Sequence, residues 1–307
     1  MHPDASQRTW SRRRLVALPL AAATGRSFAA GEEIIDSHAQ VWKYDRRFPW
    51  VKGIRQPAND ATAEALIETM KKNLVSRAVL VQSPYYGWDH SFLADVVKQH
   101  PDSFRAVAQV NPEDPSSPDQ LSRLVQQGFR GVRLAPSGDA RGDWIRGPLM
   151  APLWRRARQL GIPISITCST ARLADVQKLC EKFPDATVVI DHMADAPLDQ
   201  PAELDKLVAL KRYPRVYVKL THIWSVSKTG FPFRDVVPYV KRIYAGFTGQ
   251  RLLFGSDWPA VNQVASYTLA LAWVRELPFL RRLERPLVLG MTAAQLWQFN
   301  LRRPAGN

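Results

Sequence analysis

The sequence is poor in cysteine and in acidic residues. Two cysteines in 307 residues are too few for a disulfide-rich scaffold or a cysteine-based zinc finger. The 42 Lys and Arg residues outnumber the 28 Asp and Glu residues, and the net charge of +14 favours anionic partners. No block of Lys and Arg alternates with stacking aromatic residues, so we do not expect nucleic acid binding. A hydrophobic content of 46% excludes a disordered chain.

The sequence also lacks an apolar run that reaches the roughly 20 residues needed to cross a membrane. The N-terminus instead has the features of an export signal: Arg12, Arg13 and Arg14, a short apolar stretch at 15–24, and small residues after it. Paired arginines in this place resemble a twin-arginine signal. We predict such a signal over residues 1–29, and hence a periplasmic or secreted protein with no stable membrane insertion after signal cleavage. A disordered basic tail and a start codon placed too far upstream are the alternatives.

Eight short apolar segments alternate with stretches of helical periodicity. The segments are rich in Val, Ile and Leu, which is typical of parallel strands buried on both faces. We predict strands at residues 34–39, 77–82, 104–110, 131–135, 162–168, 187–192, 216–221 and 252–256. Eight strand–helix units in a single domain at residues 30–307 indicate an α/β fold, the (β/α)8 TIM barrel. A doubly wound open sheet is the alternative, but the chain lacks that fold's glycine-rich phosphate motifs.

Polar residues cluster where these strands end, and the chemistry of such barrels lies at the C-terminal strand ends. Asp36, His38 and Gln40 alternate along the first strand and therefore point to one side. The other residues at strand ends are Arg133, Thr167, Cys168, Asp191, His192, Lys219, His222 and Asp257. A single histidine in this position is more often structural than catalytic. The joint occurrence of His38, His192 and Asp257 nevertheless indicates an active site.

Several titratable residues also have a structural interpretation. Asp257 could hydrogen-bond a loop, and Lys219 could form an ion pair inside the barrel with Asp36 or another acid. His90 and His100 lie in a helical stretch, so we predict that both are surface residues.

The two cysteines are predicted to be buried thiols. Cys168 lies on a predicted strand and Cys180 on the helix outside it, so a bridge between them is geometrically disfavoured. Folding in the reducing cytoplasm before twin-arginine export would also make a disulfide unnecessary.

Five segments carry a family resemblance. They are IIDSHAQVW at 34–42, GFRGVRL at 128–134, VVIDHM at 188–193, VYVKL at 216–220 and RLLFGSDWP at 251–259. In this order they resemble the amidohydrolase superfamily, and above all its amidohydrolase-2 branch, which includes pyrone-dicarboxylate lactonase and sugar lactonases. The resemblance extends from about residue 34 to residue 299. It implies a barrel hydrolase, although some relatives are decarboxylases or hydratases.

The chain departs from this family at its metal site. The family's site begins with D-x-H-x-H on the first strand, and here Gln40 replaces the second histidine. The fifth strand, which often carries a further histidine in zinc-binding relatives, ends in Cys168. The resemblance leaves His38, His192 and Asp257 as candidate ligands for zinc or manganese. Because an amide oxygen is a weak ligand for these metals, we favour a site without a resident metal, although Cys168 could join as a thiolate.

The resulting hypothesis is hydrolysis of a lactone or related cyclic ester. Asp257 is expected to act as general base on a water molecule. His38 and His192 would polarise the carbonyl and stabilise the oxyanion. Gln40 could add a hydrogen bond to the same oxygen, and His222 could protonate the leaving alkoxide or hold the substrate.

Loop residues predict that the substrate is small and anionic. Besides Gln40, the candidate substrate-binding residues are Arg133, Arg141, Arg146, Tyr85, Trp144 and Trp224. Arginine is suited to two-point recognition of a carboxylate, and aromatic rings suit a planar ring. The alternative is that the aromatic side chains hold loops on the barrel and the arginines are solvated.

Two other functions fit the same residues. One is a metal-dependent amidohydrolase or decarboxylase that binds zinc or manganese through His38, His192 and Asp257. The other is a catalytically inactive periplasmic binding barrel, which Gln40 fits equally well. Retention of Asp257 favours an enzyme. The sequence leaves the possibility of a homo-oligomer open.

Overall fold

The computed structural model describes residues 33–136 and 143–300. The predicted signal at residues 1–29 and the predicted substrate-binding residue Arg141 lie outside the described residues. Within the described ranges, no helix is both long enough and apolar enough to cross a membrane.

Eight parallel strands form one sheet, and each strand pairs with the next along the chain. The strands are β1 (Ile34–Ala39), β2 (Val75–Val81), β3 (Phe104–Ala108), β4 (Phe129–Leu134), β5 (Ile164–Ile166), β6 (Val188–Ile190), β7 (Val216–Leu220) and β8 (Leu252–Phe254). All eight predicted strands are present, and the order and direction are those of a (β/α)8 barrel. The predicted fold class is therefore confirmed.

Helices lie between the strands and after β8. They are α1 (Ala63–Lys72), α2 (Ser91–Gln99), α3 (Ser117–Gln126), α4 (Met150–Gln159), α5 (Leu173–Lys182), α6 (Pro201–Ala209), α7 (Ile223–Val226), α8 (Val237–Phe247), α9 (Tyr267–Arg275) and α10 (Thr292–Leu296). The predicted strand at 187–192 is too long, because β6 ends at Ile190 and a turn spanning Asp191–Asp195 follows at once. His192 therefore lies in this turn and not on the strand.

Backbone contacts between β1 and the segment after β8 close the ring at its mouth. The N–H of Asp257 donates to the carbonyl of His38 over 2.8 Å, and the N–H of Gln40 donates to the carbonyl of Trp258 over 2.8 Å. Two candidate catalytic residues, His38 and Asp257, are thus joined directly through the main chain.

Asp36 strengthens the same seam from inside the barrel. Its buried carboxylate accepts hydrogen bonds from the backbone N–H groups of His38 and Ser256, at 3.0 and 2.9 Å, and from the Ser256 hydroxyl. Burial raises the pKa of Asp36, against the lowering effect of these hydrogen bonds. A carboxylate bound in this way holds the first and last strands in register.

An inner group of apolar residues fills the barrel. Its members are Ile35, Val79, Val81, Val107, Val189, Leu253, Ala293, Ala294, Trp297 and Phe299. Trp297, just after α10, is fully buried in this group. The C-terminal helix therefore supplies part of the inner core, in addition to the larger apolar layer between strands and outer helices.

The prediction that His90 is a surface residue is wrong. Its side chain is buried, its Nε2 accepts a hydrogen bond from the backbone N–H of Gln109 over 3.2 Å, and its ring packs edge-on against Phe129. Burial lowers the pKa of His90 to about 4. The residue caps the start of α2 and holds the loop after β3, which is a structural role.

The prediction for the cysteines is confirmed. Cys168 and Cys180 are both buried and free. Cys180 lies on α5 as expected, whereas Cys168 lies two residues beyond the end of β5.

Gly290 allows the C-terminal region to approach β1 closely, so a substitution there tests this packing. A Cβ at Gly290 would lie 2.1 Å from the carbonyl oxygen of Glu33. We expect Gly290→Ala to lower the free energy of unfolding by about 2–3 kcal/mol in urea denaturation, because backbone atoms must move apart. The control is Gly246→Ala in α8, whose Cβ would meet only side-chain atoms, at 3.3 Å or more. Equal free energies of unfolding in the two variants would contradict the close approach of Gly290 to β1.

Candidate active site

Three candidate residues leave the ends of β6, β7 and β8 with left-handed backbone conformations. His192, His222 and Asp257 have φ angles of 54°, 59° and 57°. Such conformations cost a non-glycine residue about 1–3 kcal/mol and are concentrated at functional sites. Three of the four residues predicted to be catalytic are thus among the described non-glycine residues with positive φ angles.

Three histidines stand in series across the mouth of the barrel. The ring centroids of His38 and His192 are 4.8 Å apart, and those of His192 and His222 are 4.9 Å apart. His38 is fully buried, and its Nε2 lies 3.5 Å from Oδ1 of Asp257. Among the described residues this nitrogen has no hydrogen-bond partner. The structure therefore brings together the four residues predicted to be catalytic.

Asp257 has the properties of a general base. Its side chain is almost fully buried, and this burial raises its pKa to about 6, against the opposing charges of His222 and Arg133. Above that pH the carboxylate is ionised and can accept a proton, while its raised pKa makes it a stronger base than an exposed aspartate.

The two inner histidines are neutral. Burial lowers the pKa of His38 well below its usual value, and the charge of Lys219 lowers it further. Burial likewise lowers the pKa of His192 to about 3. The Nδ1 of His192 lies 2.8 Å from the hydroxyl oxygen of Thr221, which orients the ring. A neutral imidazole has one N–H, so each ring can donate one hydrogen bond.

His222 differs from the other two histidines. Burial would lower its pKa, but a hydrogen bond from Nδ1 to Asp195, at 3.3 Å, and the negative charges of Asp257 and Asp195 outweigh burial and raise it. Its side chain is 33% exposed to solvent. His222 is therefore the histidine of this site that most readily carries a proton.

Asp191 is the charged centre of the site. Its fully buried carboxylate lies 3.0 Å from Nζ of Lys219 and 3.1 Å from Nε of Arg133, and it accepts a hydrogen bond from Thr167 over 2.8 Å. Burial alone would raise the pKa of Asp191, but the charges of Lys219 and Arg133 hold it well below its usual value. This carboxylate therefore stays ionised and is a weak proton acceptor.

The sequence analysis placed Asp191 at a strand end without giving it a role. The available signal was its position directly before His192 in the VVIDHM segment. It also left open the acid that pairs with Lys219, and the structure identifies Asp191 instead of Asp36. Thr221 and Asp195, which orient His192 and His222, carried no signal in the sequence.

A cavity of about 690 Å³ reaches this cluster at Arg133 and Thr167, whereas the three histidines and Asp257 are not among its lining residues. Polar side chains on its wall include those of Gln40, Gln109, Asn111, Arg133 and Thr167, and aromatic side chains on its wall are those of Trp88 and Trp144. The side-chain amides of Gln40 and Gln109 make no hydrogen bond within the described part of the chain. Three predicted substrate-binding residues, Gln40, Arg133 and Trp144, thus share one cavity that a small ring could enter.

Three further predicted substrate-binding residues that the structure describes, Tyr85, Trp224 and Arg146, do not line this cavity. Tyr85 packs edge-on against Trp42, with ring centroids 5.0 Å apart, and Trp224 packs edge-on against His222 at 5.4 Å. Arg146 pairs with Asp143 and Asp175 at 3.0 and 3.2 Å, and 58% of its side chain is exposed. Of the two predicted arginines that the structure describes, Arg133 lines the cavity and Arg146 does not.

One group of side chains in the described ranges is close enough to hold a metal ion. His38, Asp191 and His192 each offer a ligand atom, and these atoms lie within 4.8 Å of one another. Asp191 completes the group, whereas the sequence analysis had named Asp257 with the two histidines. Two nitrogens and one carboxylate are a known donor set for zinc.

The charges around this group do not fit a divalent ion. Lys219 and Arg133 already lie against the two carboxylate oxygens of Asp191. A dication would add positive charge next to two cations in a buried site where screening is weak. Burial also raises the pKa of the Cys168 thiol to about 12, which disfavours the thiolate that metal binding needs.

Known proteins resemble this chain along most of its length. An L-fucono-1,5-lactonase from Burkholderia ambifaria is 25% identical over 284 residues, which cover 89% of this chain and 97% of that protein. A 4-sulfomuconolactone hydrolase from Hydrogenophaga intermedia is 27% identical over 230 residues, covering 73% of this chain and 74% of that protein. The structure of an amidohydrolase from Burkholderia multivorans with bound zinc has a TM-score of 0.72 and 24% identity, and the match covers 87% of this chain and 99% of that one.

The sequence model of the amidohydrolase family matches residues 35–299. This range contains all eight strands, the three histidines in series and Asp257. The chain therefore belongs to the amidohydrolase family, which confirms both the resemblance and the expectation of an amidohydrolase-family enzyme.

Proposed function

We propose that the protein hydrolyses a small lactone and does so without a resident metal ion. The observation that carries this proposal is the arrangement of His38 and Asp257. A buried imidazole nitrogen without a partner among the described residues lies 3.5 Å from a buried carboxylate. Ester hydrolysis needs a hydrogen-bond donor and a base at nearly the same point. Two relatives whose names specify lactone hydrolysis support the choice of a cyclic ester.

The first step is the attack of water on the ester carbonyl. Asp257 takes one proton from the water as the water oxygen bonds to the carbonyl carbon. Neutral His38 and His192 donate hydrogen bonds to the developing oxyanion. Their fixed position in a buried site lets them stabilise this charge without rearrangement. Gln40, on the cavity wall, is a third candidate donor.

The second step is the opening of the ring. The bond between the carbonyl carbon and the ring oxygen breaks, and the leaving alkoxide takes a proton from His222. The raised pKa of His222, with Asp195 as its partner, suits it to this role. The product is a hydroxy acid, and proton exchange with solvent returns Asp257 and His222 to their starting states.

The cavity supports a small polar substrate. Gln40, Gln109 and Asn111 offer amide groups to ring or hydroxyl oxygens, and Trp88 and Trp144 offer flat apolar faces. Arg133 is the source of positive charge for an anionic group, as the sequence predicts. Arg133 also pairs with Asp191. Its guanidinium would therefore bind both the Asp191 carboxylate and the anionic group of the substrate.

Replacement of the base tests the catalytic assignment. We expect Asp257→Asn to lower kcat by about a thousandfold on any lactone that the native protein hydrolyses, because the amide cannot accept the proton from water. The fold should stay intact, as judged by circular dichroism and thermal unfolding. The control is Asp185→Asn, which removes an exposed carboxylate that pairs with Arg158. A kcat near that of the native protein in Asp257→Asn would contradict the assignment.

Binding and turnover assays on the native protein separate the proposed function from its alternatives. Binding of lactones by the native protein without hydrolysis would indicate an inactive binding barrel. Release of carbon dioxide from an aromatic acid, with lactones left unchanged, would indicate a decarboxylase.

A conservative change at Arg133 tests the recognition of an anionic substrate. Arg133→Lys keeps a positive charge near Asp191 but loses the planar fork, so we expect KM for an anionic lactone to rise about tenfold, with little change for a neutral sugar lactone. Arg130→Lys is the control, because Arg130 lies on the same strand and donates hydrogen bonds to the backbone carbonyls of Val125 and Phe129, away from Asp191. Equal effects of Arg133→Lys on both substrates would argue against an anionic substrate.

A further inference from the structure

Lys219 is a buried cation at the centre of the site. Its side chain is fully buried at the end of β7, with Nζ 3.0 Å from Oδ1 of Asp191 and 3.3 Å from Nδ1 of His38. The ammonium also lies 5.2 Å from the ring centroid of Trp297, whose π face favours a cation. Lys219 thus contacts two of the three side chains that could share a metal ion.

This contact restricts the proton on His38. The ion pair with Asp191 favours the ammonium form of Lys219, which has three donors and no acceptor, so Nδ1 of His38 offers its lone pair to Lys219. A neutral imidazole has a single proton, which then resides on Nε2. Nε2 is the nitrogen that faces Asp257 at 3.5 Å. His38 is therefore a donor toward the reacting centre.

The same contact removes both routes by which His38 could bind a metal. A metal ligand must present a lone pair. The lone pair of Nδ1 is directed at the ammonium, and Nε2 carries the proton. On Asp191, Oδ2 accepts hydrogen bonds from Arg133 and Thr167, and Oδ1 forms an ion pair with Lys219 at 3.0 Å, although it accepts no hydrogen bond of good geometry among the described residues.

We propose that Lys219 takes the place of a metal ion in this barrel, as a positioning residue that fixes His38 in its Nε2–H form and excludes a divalent ion from His38 and Asp191. Its effect on the reaction rests on the proposed lactone hydrolysis. The tautomer of His38 and the exclusion of metal do not depend on which reaction the site catalyses.

The tautomer can be measured on the native protein. In a long-range proton–nitrogen NMR correlation of ¹⁵N-histidine-labelled protein, with His38 assigned from a His38→Gln variant, we expect the Nε2–H pattern. The Nδ1–H pattern would overturn the proposal. A purely structural Lys219–Asp191 ion pair does not require either pattern, so the Nε2–H pattern supports the positioning role and the Nδ1–H pattern leaves only the structural ion pair.

Metal exclusion is measured on the same untagged protein. After equilibration with zinc chloride and dialysis, mass spectrometry should find well below one zinc per chain. One zinc per chain, together with shifted His38 nitrogens, would overturn the proposal.

Removal of the charge tests whether Lys219 is the cause. Lys219→Met replaces the ammonium with an apolar chain of similar length, and we expect it to retain about one zinc per chain through the freed donors. With the zinc removed, kcat for lactone hydrolysis should fall about tenfold with a smaller change in KM, because His38 loses its fixed orientation. Lys71→Met is the control, since it removes an equal charge from an exposed pair with Glu68.

The native protein decides the outcome even if Lys219→Met does not fold. An Nε2–H tautomer and exclusion of zinc, in a protein that hydrolyses no lactone, would support the role of Lys219 and contradict the proposed function. A folded Lys219→Met variant that excludes zinc and keeps the native tautomer would show that Lys219 is not the cause.

Discussion

The ion cluster of Asp191, Lys219 and Arg133 is the interaction on which the rest of the site depends. Removing these charges from water is costly, and the cost is offset only when each charge has close partners. Asp191 satisfies this condition with contacts to both cations and to Thr167. The partners come from β4, β7 and the loop after β5, so a single carboxylate links three segments of the barrel wall. The side chains above it are positioned by that link.

Differences in environment give chemically similar residues different roles. Burial of His38 and His192 outweighs the effect of the neighbouring carboxylates and both stay neutral, whereas His222 has Asp195 as partner and carries a proton more readily. Asp191 is held ionised by two cations, while Asp257, with weaker compensation, has a pKa of about 6. In the proposed mechanism, these differences separate the hydrogen-bond donors, the acid and the base within one barrel mouth.

The barrel could be predicted from the sequence because its eight strands are short, apolar and evenly spaced. The catalytic candidates His38, His192, His222 and Asp257 could be predicted because strand ends meet at one edge of the barrel. The partner of Lys219 could not, since pairing across the barrel depends on depth and side-chain direction. The role of His90 was misjudged because helical periodicity does not reveal a contact with another strand's loop. The export signal over residues 1–29 stays a prediction.

The central claim is that the protein's own cations, and no bound metal, supply the positive charge in this site. The most direct test is lactone hydrolysis by one protein sample before and after treatment with a strong chelator, with metal content measured in parallel. The account predicts that kcat is unchanged by the chelator and by added zinc or manganese. Loss of activity in proportion to the metal removed, with recovery when zinc returns, would contradict it.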